Sequence, residues 1–230
     1  MNSKHLTKPF EAGIPERRLY LLFTRSLCSK TPLLVLEEAI EGGVDLVQLR
    51  EKPLTRKEIP WIKEVAALCN AMAVPLVLND RIDLAKELGA CCVHLGQEDL
   101  GELQKTQGLK EITGLPFGLS THSPEELRAS LALSPAYVGI GPCFATATKG
   151  YQQGLPPRRL AAMLEIARER QLPAFAIGGI DAKRLPGLMD LGVRRIAVSS
   201  CILGAPAPRE AARTLRELLL GGPEPGHPIP

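Results

Sequence analysis

The sequence contains no apolar run near the roughly 18 residues that a membrane-spanning helix needs. Residues 1–18 are polar and lack the apolar stretch and small-residue cleavage site of a secretory signal. No charge bias of either sign is present, because 28 Lys and Arg oppose 25 Asp and Glu for a net charge of +3. A bias this small and evenly spread argues against a nucleic-acid-binding surface. We therefore expect a cytoplasmic protein with no nucleic-acid and no membrane partner.

The cysteines also lack the patterns of a disulfide framework or a zinc site. No Cys-x-x-Cys pair occurs among the six, and most lie in apolar segments. We predict free, buried thiols rather than disulfides or metal ligands. The residues concerned are Cys28, Cys69, Cys91, Cys92, Cys143 and Cys201.

Short apolar runs of strand length recur along the chain and alternate with segments of helical pattern. The predicted strands are Leu19–Phe23, Asp45–Arg50, Pro75–Asn79, Cys91–Leu95, Pro116–Ser120, Tyr137–Ile140, Ala174–Ile177 and Arg195–Ser199. The predicted helices are Thr31–Glu41, Thr55–Ala73, Arg81–Leu88, Leu103–Ile112, one opening at Ser123, Arg158–Gln171, Arg184–Leu191 and Pro208–Leu220. Strict alternation of this kind is typical of parallel strands that are covered on both faces.

Eight strand-helix units in 230 residues predict a (β/α)₈ barrel, the TIM barrel, whose usual size is about 250 residues. A doubly wound open sheet is the alternative, but the Gly-x-Gly-x-x-Gly turn after the first strand is absent. The expected organisation is a flexible arm at residues 1–18, one barrel domain at 19–220 and a disordered Pro/Gly-rich tail at 221–230.

The stretch Val47–Lys52 starts apolar and ends in charge. Because side chains alternate along a strand, Gln48, Arg50 and Lys52 share one face. Two cations and an amide at the end of a buried strand need an anionic partner, since unpaired buried charge is very costly.

Other predicted strands end in the same polar manner, and in a TIM barrel these carboxyl ends form the active site. The polar ends are Asn79-Asp80, the segment from His94 to Asp99, Ser120-Thr121-His122, Gly141–Gly150, Gly178-Gly179 and Ser199-Ser200.

Asp80 and Asp99 follow consecutive predicted strands, so we expect them to be neighbours on the rim. Two adjacent carboxylates repel unless a proton or a cation lies between them. Hard oxygen ligands without a His/Cys cluster favour Mg²⁺. The alternatives are a helix N-cap for Asp80 and a turn residue for Asp99.

A second anion site is predicted on the other side of the rim. Gly178-Gly179 and Ser199-Ser200 end strands seven and eight, where barrels commonly bind phosphate. The preceding polar loop adds two hydroxyls and an ammonium from Thr146, Thr148 and Lys149. The residues alone therefore suggest a metal-assisted transfer between two phosphorylated small molecules.

The polar strand ends belong to an ordered set of longer motifs: Gln48-Leu-Arg-Glu-Lys52, Asn79-Asp80-Arg81, His94-Leu-Gly-Gln-Glu-Asp99, Gly118-Leu-Ser-Thr-His122, Gly141-Pro142 with Thr146-Ala-Thr-Lys149, and Ala176-Ile-Gly-Gly-Ile180. Together they resemble the thiamine phosphate synthase family from about Leu19 to Leu220. Members of this family are (β/α)₈ transferases that join hydroxymethylpyrimidine diphosphate to thiazole phosphate and release pyrophosphate.

The resemblance implies a dissociative reaction, in which pyrophosphate leaves before the thiazole nitrogen attacks. It implies that Asp80 and Asp99 hold Mg²⁺, and that Arg50, Lys52 and Lys149 act on the diphosphate. The implied ligands of the pyrimidine diphosphate are Gln48, Arg50, Lys52, Asn79, Ser120 and Lys149, and those of the thiazole phosphate are Thr146, Thr148, Gly179, Ser199 and Ser200.

Two features depart from the family pattern. The first predicted strand ends in Phe23-Thr24-Arg25, where the family often has Thr-Asp-Arg, and the loop at Gly150–Pro157 looks short. Two alternative functions stay open. One is a thiazole tautomerase of a related barrel, for which His122 would transfer a proton. The other is a barrel that binds thiamine precursors without catalysis. The sequence leaves the choice between monomer and homo-oligomer open.

Overall fold

The computed structural model describes residues 14–105, 115–145 and 153–221. Eight parallel strands close into a barrel in chain order, with the last strand pairing with the first. The strands are β1 (Leu19–Phe23), β2 (Leu46–Leu49), β3 (Leu76–Asn79), β4 (Cys92–Leu95), β5 (Phe117–Thr121), β6 (Tyr137–Ile140), β7 (Ala174–Ile177) and β8 (Ile196–Val198). The predicted (β/α)₈ fold is confirmed.

Helices follow the strands and cover the outside of the barrel. In the described part of the chain they are α1 (Pro32–Glu41), α2 (Ile59–Ala71), α3 (Ile82–Leu88), α4 (Gln97–Lys105), α5 (Pro124–Leu131), α6 (Pro157–Glu169), α7 (Leu185–Asp190), α8 (Ser200–Leu203) and α9 (Pro208–Gly221). Short 3₁₀ segments lie at Arg25–Leu27 and Arg56–Glu58. None of these helices is long and apolar enough to cross a membrane.

The helix predicted at Leu103–Ile112 is wrong at its start. The helix α4 begins at Gln97, immediately after β4, and residues 106–112 lie outside the described residues. The sequence interpretation treated Gln97-Glu98-Asp99 as a polar strand end, but acidic residues also favour the first turn of a helix. Asp99 is therefore a helical residue rather than the turn residue of the alternative interpretation.

Alternation along each strand divides the core in two. One set of side chains points outward and packs under the helices, where Leu21, Val47 and Leu78 are fully buried. The other set fills the barrel lumen, as is usual for the packed interior of this fold. The lumen cluster consists of Ile14, Tyr20, Leu22, Leu46, Val77, Cys92, Tyr137, Phe175 and Ala197.

Part of the predicted N-terminal arm packs against the barrel. Ile14 belongs to the lumen cluster, and the buried Arg18 donates from Nη1 to the carbonyl of Leu219 at 2.8 Å. The backbone amides of Arg18 and Leu19 donate to the carboxylate of Asp45. The arm prediction is therefore wrong for residues 14–18, and residues 1–13 lie outside the described part of the chain.

The close packing of the lumen predicts that it will not accept even one added methyl group at Gly118. A Cβ at this position would overlap the ring of Tyr137, which is itself completely buried. We expect Gly118→Ala to lower the free energy of unfolding by about 1–3 kcal/mol, the usual cost of overpacking. Urea denaturation measures the change.

Gly187→Ala is the matched control, because the exposed Gly187 lies in α7 with open space where the added methyl group would lie. This change should stabilise the protein by roughly 1 kcal/mol through helix propensity. Equal effects of the two substitutions would contradict the packing argument.

Candidate active site

A cavity of about 260 Å³ opens at the carboxyl ends of the strands. We call it the mouth cavity. The described residues that line it are Leu22, Arg50, Ser120, His122, Gly139, Gly141, Pro142, Ile177, Gly178, Gly179, Ile180, Asp181, Arg184, Ala197, Val198, Ser199, Ser200 and Cys201. A smaller pocket of about 20 Å³ lies next to it in the lumen, where Gln48, Asn79 and His94 join the lining. The two share Arg50 and Ser120, so the site extends from the rim into the barrel.

Three residues predicted to bind the pyrimidine substrate converge on this inner pocket. Gln48, Asn79 and Ser120 come from β2, β3 and β5, and each is less than a tenth exposed. Arg50 lies just beyond β2 and lines both cavities. The described residues give its guanidinium no hydrogen-bonding or ion-pair partner, so the group can bind an anion.

Asp80 leaves β3 in a left-handed conformation with φ +63°. Its backbone amide donates to the His94 carbonyl at 2.8 Å, and its carboxylate accepts from the amide of Asn79. Lys52 Nζ lies 3.1 Å from Asp80 Oδ2. The alternative role as helix N-cap is not supported, because the N-cap of α3 is Arg81 and no side chain caps that end.

Asp99 reaches Asp80 from the first turn of α4, as the neighbouring positions on the rim predict. The pKa of Asp99 is raised, first by burial and then by the charge and hydrogen bond of Asp80, while Lys52 opposes this shift. A cation between the carboxylates would remove this repulsion.

The donor set of this carboxylate pair fits Mg²⁺. Both residues offer hard oxygen ligands, which this ion prefers. No group of three or more His, Cys, Asp and Glu side chains suited to a metal occurs among the described residues. The remaining ligands would therefore come from water and substrate phosphate, which is common for Mg²⁺.

A chain of hydrogen bonds crosses the lumen beneath the mouth cavity, and sequence analysis missed it. Gln48 Nε2 donates to the Tyr20 hydroxyl at 2.7 Å, which lies 2.8 Å from the Tyr137 hydroxyl. The Tyr137 hydroxyl is 3.0 Å from His94 Nδ1, and His94 Nε2 is 3.0 Å from Ser120 Oγ. We call this chain the lumen network, and its two ends are residues predicted to bind substrate.

Both tyrosine hydroxyls of the lumen network are protonated near neutral pH. Burial raises the pKa of Tyr20 and of Tyr137 well above the ordinary value. The sequence signal for this network was the presence of tyrosines in apolar strands, because a buried hydroxyl needs a hydrogen-bonding partner.

His122 lines the mouth cavity next to Ser120. Its Nδ1 lies 2.5 Å from the Gly141 carbonyl, which makes Nδ1 the protonated nitrogen. The Ser123 hydroxyl accepts from the Glu126 amide at 3.2 Å and so caps the start of α5. The Glu126 carboxylate in turn accepts from the His122 amide at 2.7 Å. The cap therefore also fixes the position of His122.

The opposite side of the mouth cavity contains the glycines and serines that the sequence predicts to bind a phosphate. Gly178 and Gly179 have φ of +100° and +63°, and a side chain on Gly178 would lie 2.6 Å from Pro142. Ser199 Oγ donates to the Leu22 carbonyl at 2.8 Å, whereas Ser200 is exposed. The predicted residues Thr146, Thr148 and Lys149 lie outside the described residues, as do residues 150–152 of the loop predicted to be short. Arg184 joins this side of the cavity and was not predicted.

The cysteines are free, as predicted. Burial raises the pKa of Cys201, which lines the mouth cavity, and of Cys143 beneath it to about 12. Neither thiol is ionised near neutral pH, so neither is suited to nucleophilic catalysis.

Comparison with known proteins agrees with this geometry. Residues 19–202 match the family model described as thiamine monophosphate synthase. The thiamine-phosphate synthase of Thermus thermophilus is 41% identical over 187 residues, which cover 80% of this chain and 87% of that protein. That of Halalkalibacterium halodurans is 38% identical over 174 residues, covering 74% and 80%. The solved thiamine phosphate pyrophosphorylase of Pyrococcus furiosus superposes with a TM-score of 0.75 at 28% identity, covering 88% of this chain and 95% of that one.

The lumen network predicts that removal of a single hydroxyl group will lower the stability of the protein. Tyr137→Phe removes the hydroxyl between Tyr20 and His94, and leaves His94 Nδ1 without that bond in a buried site. We expect the free energy of unfolding to fall by about 1–3 kcal/mol, the cost of an unsatisfied buried polar group. Chemical denaturation of the single variants and of the Tyr20→Phe/Tyr137→Phe double variant measures this loss. Strict additivity in the cycle would show that the two hydroxyls are not coupled.

Proposed function

The chain belongs to the thiamine monophosphate synthase family and is a transferase of the thiamine-phosphate synthase class, and on this premise we propose how its barrel performs the reaction. Hydroxymethylpyrimidine diphosphate and thiazole phosphate bind in the mouth cavity and yield thiamine phosphate and pyrophosphate. The observation that carries the proposal is the contact of Asp80 with Asp99 beside Lys52, together with Arg50 in the lining of the mouth cavity. It supplies a site for a metal-bound diphosphate opposite a second site suited to a monophosphate.

The pyrimidine ring is assigned to the inner part of the site. The amide nitrogen of Gln48 donates to Tyr20, so its amide oxygen is the acceptor that Gln48 offers to a substrate N–H. Asn79 and Ser120 provide further polar groups around the same small pocket. Because Ser120 is bonded to His94 and Gln48 to Tyr20, the lumen network fixes both groups before substrate binds.

The diphosphate is assigned to the cations on the rim above this pocket. Arg50 presents a guanidinium to which the described residues offer no partner, and Lys52 carries an ammonium between the rim carboxylates and solvent. Mg²⁺ held by Asp80 and Asp99 would add electrostatic stabilisation of the pyrophosphate as it leaves. Fixed charges aimed at a leaving group are a large source of catalysis, because they need no reorganisation during the reaction.

The thiazole phosphate is assigned to the other side of the cavity. Gly179, Ser199 and Ser200 supply backbone and hydroxyl groups there, and Thr146 and Thr148 are expected to contribute from the neighbouring loop, whereas Lys149 is expected to contact the pyrimidine diphosphate or the departing pyrophosphate. The thiazole nitrogen carries its own lone pair, so the bond to the pyrimidine carbon forms without a general base. The protonated phenols and thiols are consistent with this assignment.

We also propose that the protein works in the cytoplasm. The support is the presence of six free cysteines, a state that a reducing compartment maintains. The assembly state is left to measurement by light scattering.

Removing one rim carboxylate should abolish metal-dependent turnover. With both substrates, we expect Mg²⁺-dependent pyrophosphate release matched by thiamine phosphate, and a loss of at least about 100-fold in Asp99→Ala. Asp190→Ala, which removes an exposed carboxylate at the end of α7, is the control and should behave as wild type. Release without added Mg²⁺ after chelation, or full activity of Asp99→Ala, would overturn the metal assignment.

Arg50 is expected to contribute more to the rate than Arg56, which lies in the same connection between β2 and α2. Arg50→Ala should lower kcat by roughly 100-fold, the usual loss when one donor to developing negative charge is removed. The control is Arg56→Ala, which removes an exposed guanidinium paired with Glu87. A rise in KM with kcat unchanged would instead assign Arg50 to ground-state binding.

One observation favours a second candidate function, the thiazole tautomerase. His122 lines the mouth cavity with a fixed ring, as a proton-transferring residue requires. This activity does not use the rim carboxylates, Lys52 or Arg50. Absence of pyrophosphate release together with thiazole isomerisation that is lost in His122→Ala would establish it. Tight binding of both substrates with neither reaction would indicate the non-catalytic barrel.

A further inference from the structure

Arg184 supplies the second cation of the mouth cavity. Among the described residues that line this cavity, the arginines are Arg50 and Arg184, which follow β2 and β7. Two strands, β8 and β1, separate them around the barrel. The two guanidiniums therefore lie on different sides of the opening, and Arg184 is on the side of Gly179 and Ser200.

Three contacts hold the Arg184 side chain in place. Its Nη1 donates to the Gly179 carbonyl at 2.6 Å, so the guanidinium is attached to the turn of the predicted phosphate site. Its Cζ lies 4.9 Å from the centre of the Phe144 ring, within the range of a cation–π interaction. Its Nε is 3.9 Å from Asp181 Oδ2, a weak and exposed ion pair.

The nearby carboxylate does not compete for this guanidinium at close range. Asp181 Oδ1 accepts from the backbone amides of Lys183 and Arg184 at 3.0 and 2.9 Å, which fixes the turn before α7. The described residues place no acceptor within hydrogen-bonding distance of Arg184 Nη2. The guanidinium thus has a fixed position and donors to spare at the edge of the cavity.

We propose that Arg184 binds the phosphate of the thiazole substrate. The proposal rests on the proposed function and adds a permanently charged, forked donor to a site whose other predicted ligands, among the described residues, are the backbone of Gly179 and the serines Ser199 and Ser200. Arginine is well matched to phosphate because two parallel N–H donors can bind two oxygens at once. Phe144 acts as the platform that aims the fork.

A structural role is the competing explanation. Phe144 belongs to a loop that bonds to the end of β7, through the Cys143 amide to Ile177 at 2.7 Å and the Phe144 amide to Gly178 at 3.1 Å. Arg184 could merely clamp this loop. The two roles differ in one respect, because only phosphate binding depends on whether the thiazole carries a phosphate.

Steady-state kinetics with Arg184→Ala test the proposal. The KM for thiazole phosphate should rise about tenfold, since a half-exposed charge-assisted hydrogen bond lies at the low end of its range. The KM for the pyrimidine diphosphate, and that for the thiazole alcohol without phosphate, should stay at the wild-type values. Arg184→Lys should recover part of the loss, and Arg168→Ala, an exposed arginine on α6, is the control.

Equal losses for the phosphorylated and unphosphorylated thiazoles would establish the clamp and overturn the proposal, as would wild-type kinetics of Arg184→Ala. Calorimetric titration of thiazole phosphate into the protein without the pyrimidine substrate separates this result from a failure of the proposed function. Binding that weakens in Arg184→Ala supports the proposal even if no turnover occurs. Equal binding by both proteins, or none by the wild type, overturns it.

Discussion

The barrel lumen can be filled only by every second residue of each strand, and the site depends on how those residues are paired. Below the rim they are apolar, and at the level of the lumen network they are hydroxyls, an amide and an imidazole. Tyr20 and Tyr137 come from β1 and β6, so their hydrogen bond joins strands that are not neighbours. Each further bond ends at a group facing the inner pocket. The pocket floor is thereby fixed before any ligand binds, through hydrogen bonds among its polar side chains.

The charged side chains lie at the rim instead, and they are distributed unevenly around it. Lys52, Asp80 and Asp99 form a compact charged group, in which burial and the neighbouring Asp80 raise the pKa of Asp99, while Arg50 lines the mouth cavity. The side formed by β7 and β8 has glycines with positive φ, serines and one fixed guanidinium. This asymmetry suits two phosphorylated substrates of different charge. In the proposed function the multiply charged leaving group would meet the stronger field, and the monophosphate would need only to be held and oriented.

Residue order along the chain sufficed to predict the strands, the closed barrel and the contact of Asp80 with Asp99. Carboxyl ends of consecutive parallel strands must be adjacent, whatever the details of packing. The lumen network was beyond such reasoning, because Tyr20 and Tyr137 are 117 residues apart and their contact depends on the diameter of the closed barrel. Arg184 was missed for a similar reason. Its position follows from Phe144 on another loop, and its own surroundings in the sequence are those of an ordinary exposed helix start.

The protonation states of the buried tyrosines and of Cys92 are consistent with a reaction that is promoted by the charged residues at the rim. Burial raises the pKa of both lumen tyrosines and of Cys92 beneath them, so these groups carry no charge near neutral pH. An ionised phenol or thiol there would oppose negative charge developing on the leaving group through a medium of low dielectric constant. Because these two phenols and this thiol are neutral, they do not weaken the positive electrostatic potential of Arg50 and Lys52 at the rim. In the proposed reaction, departure of pyrophosphate needs this potential more than it needs a proton acceptor, and the hydroxyls of the floor supply the hydrogen bonds that position Gln48 and Ser120.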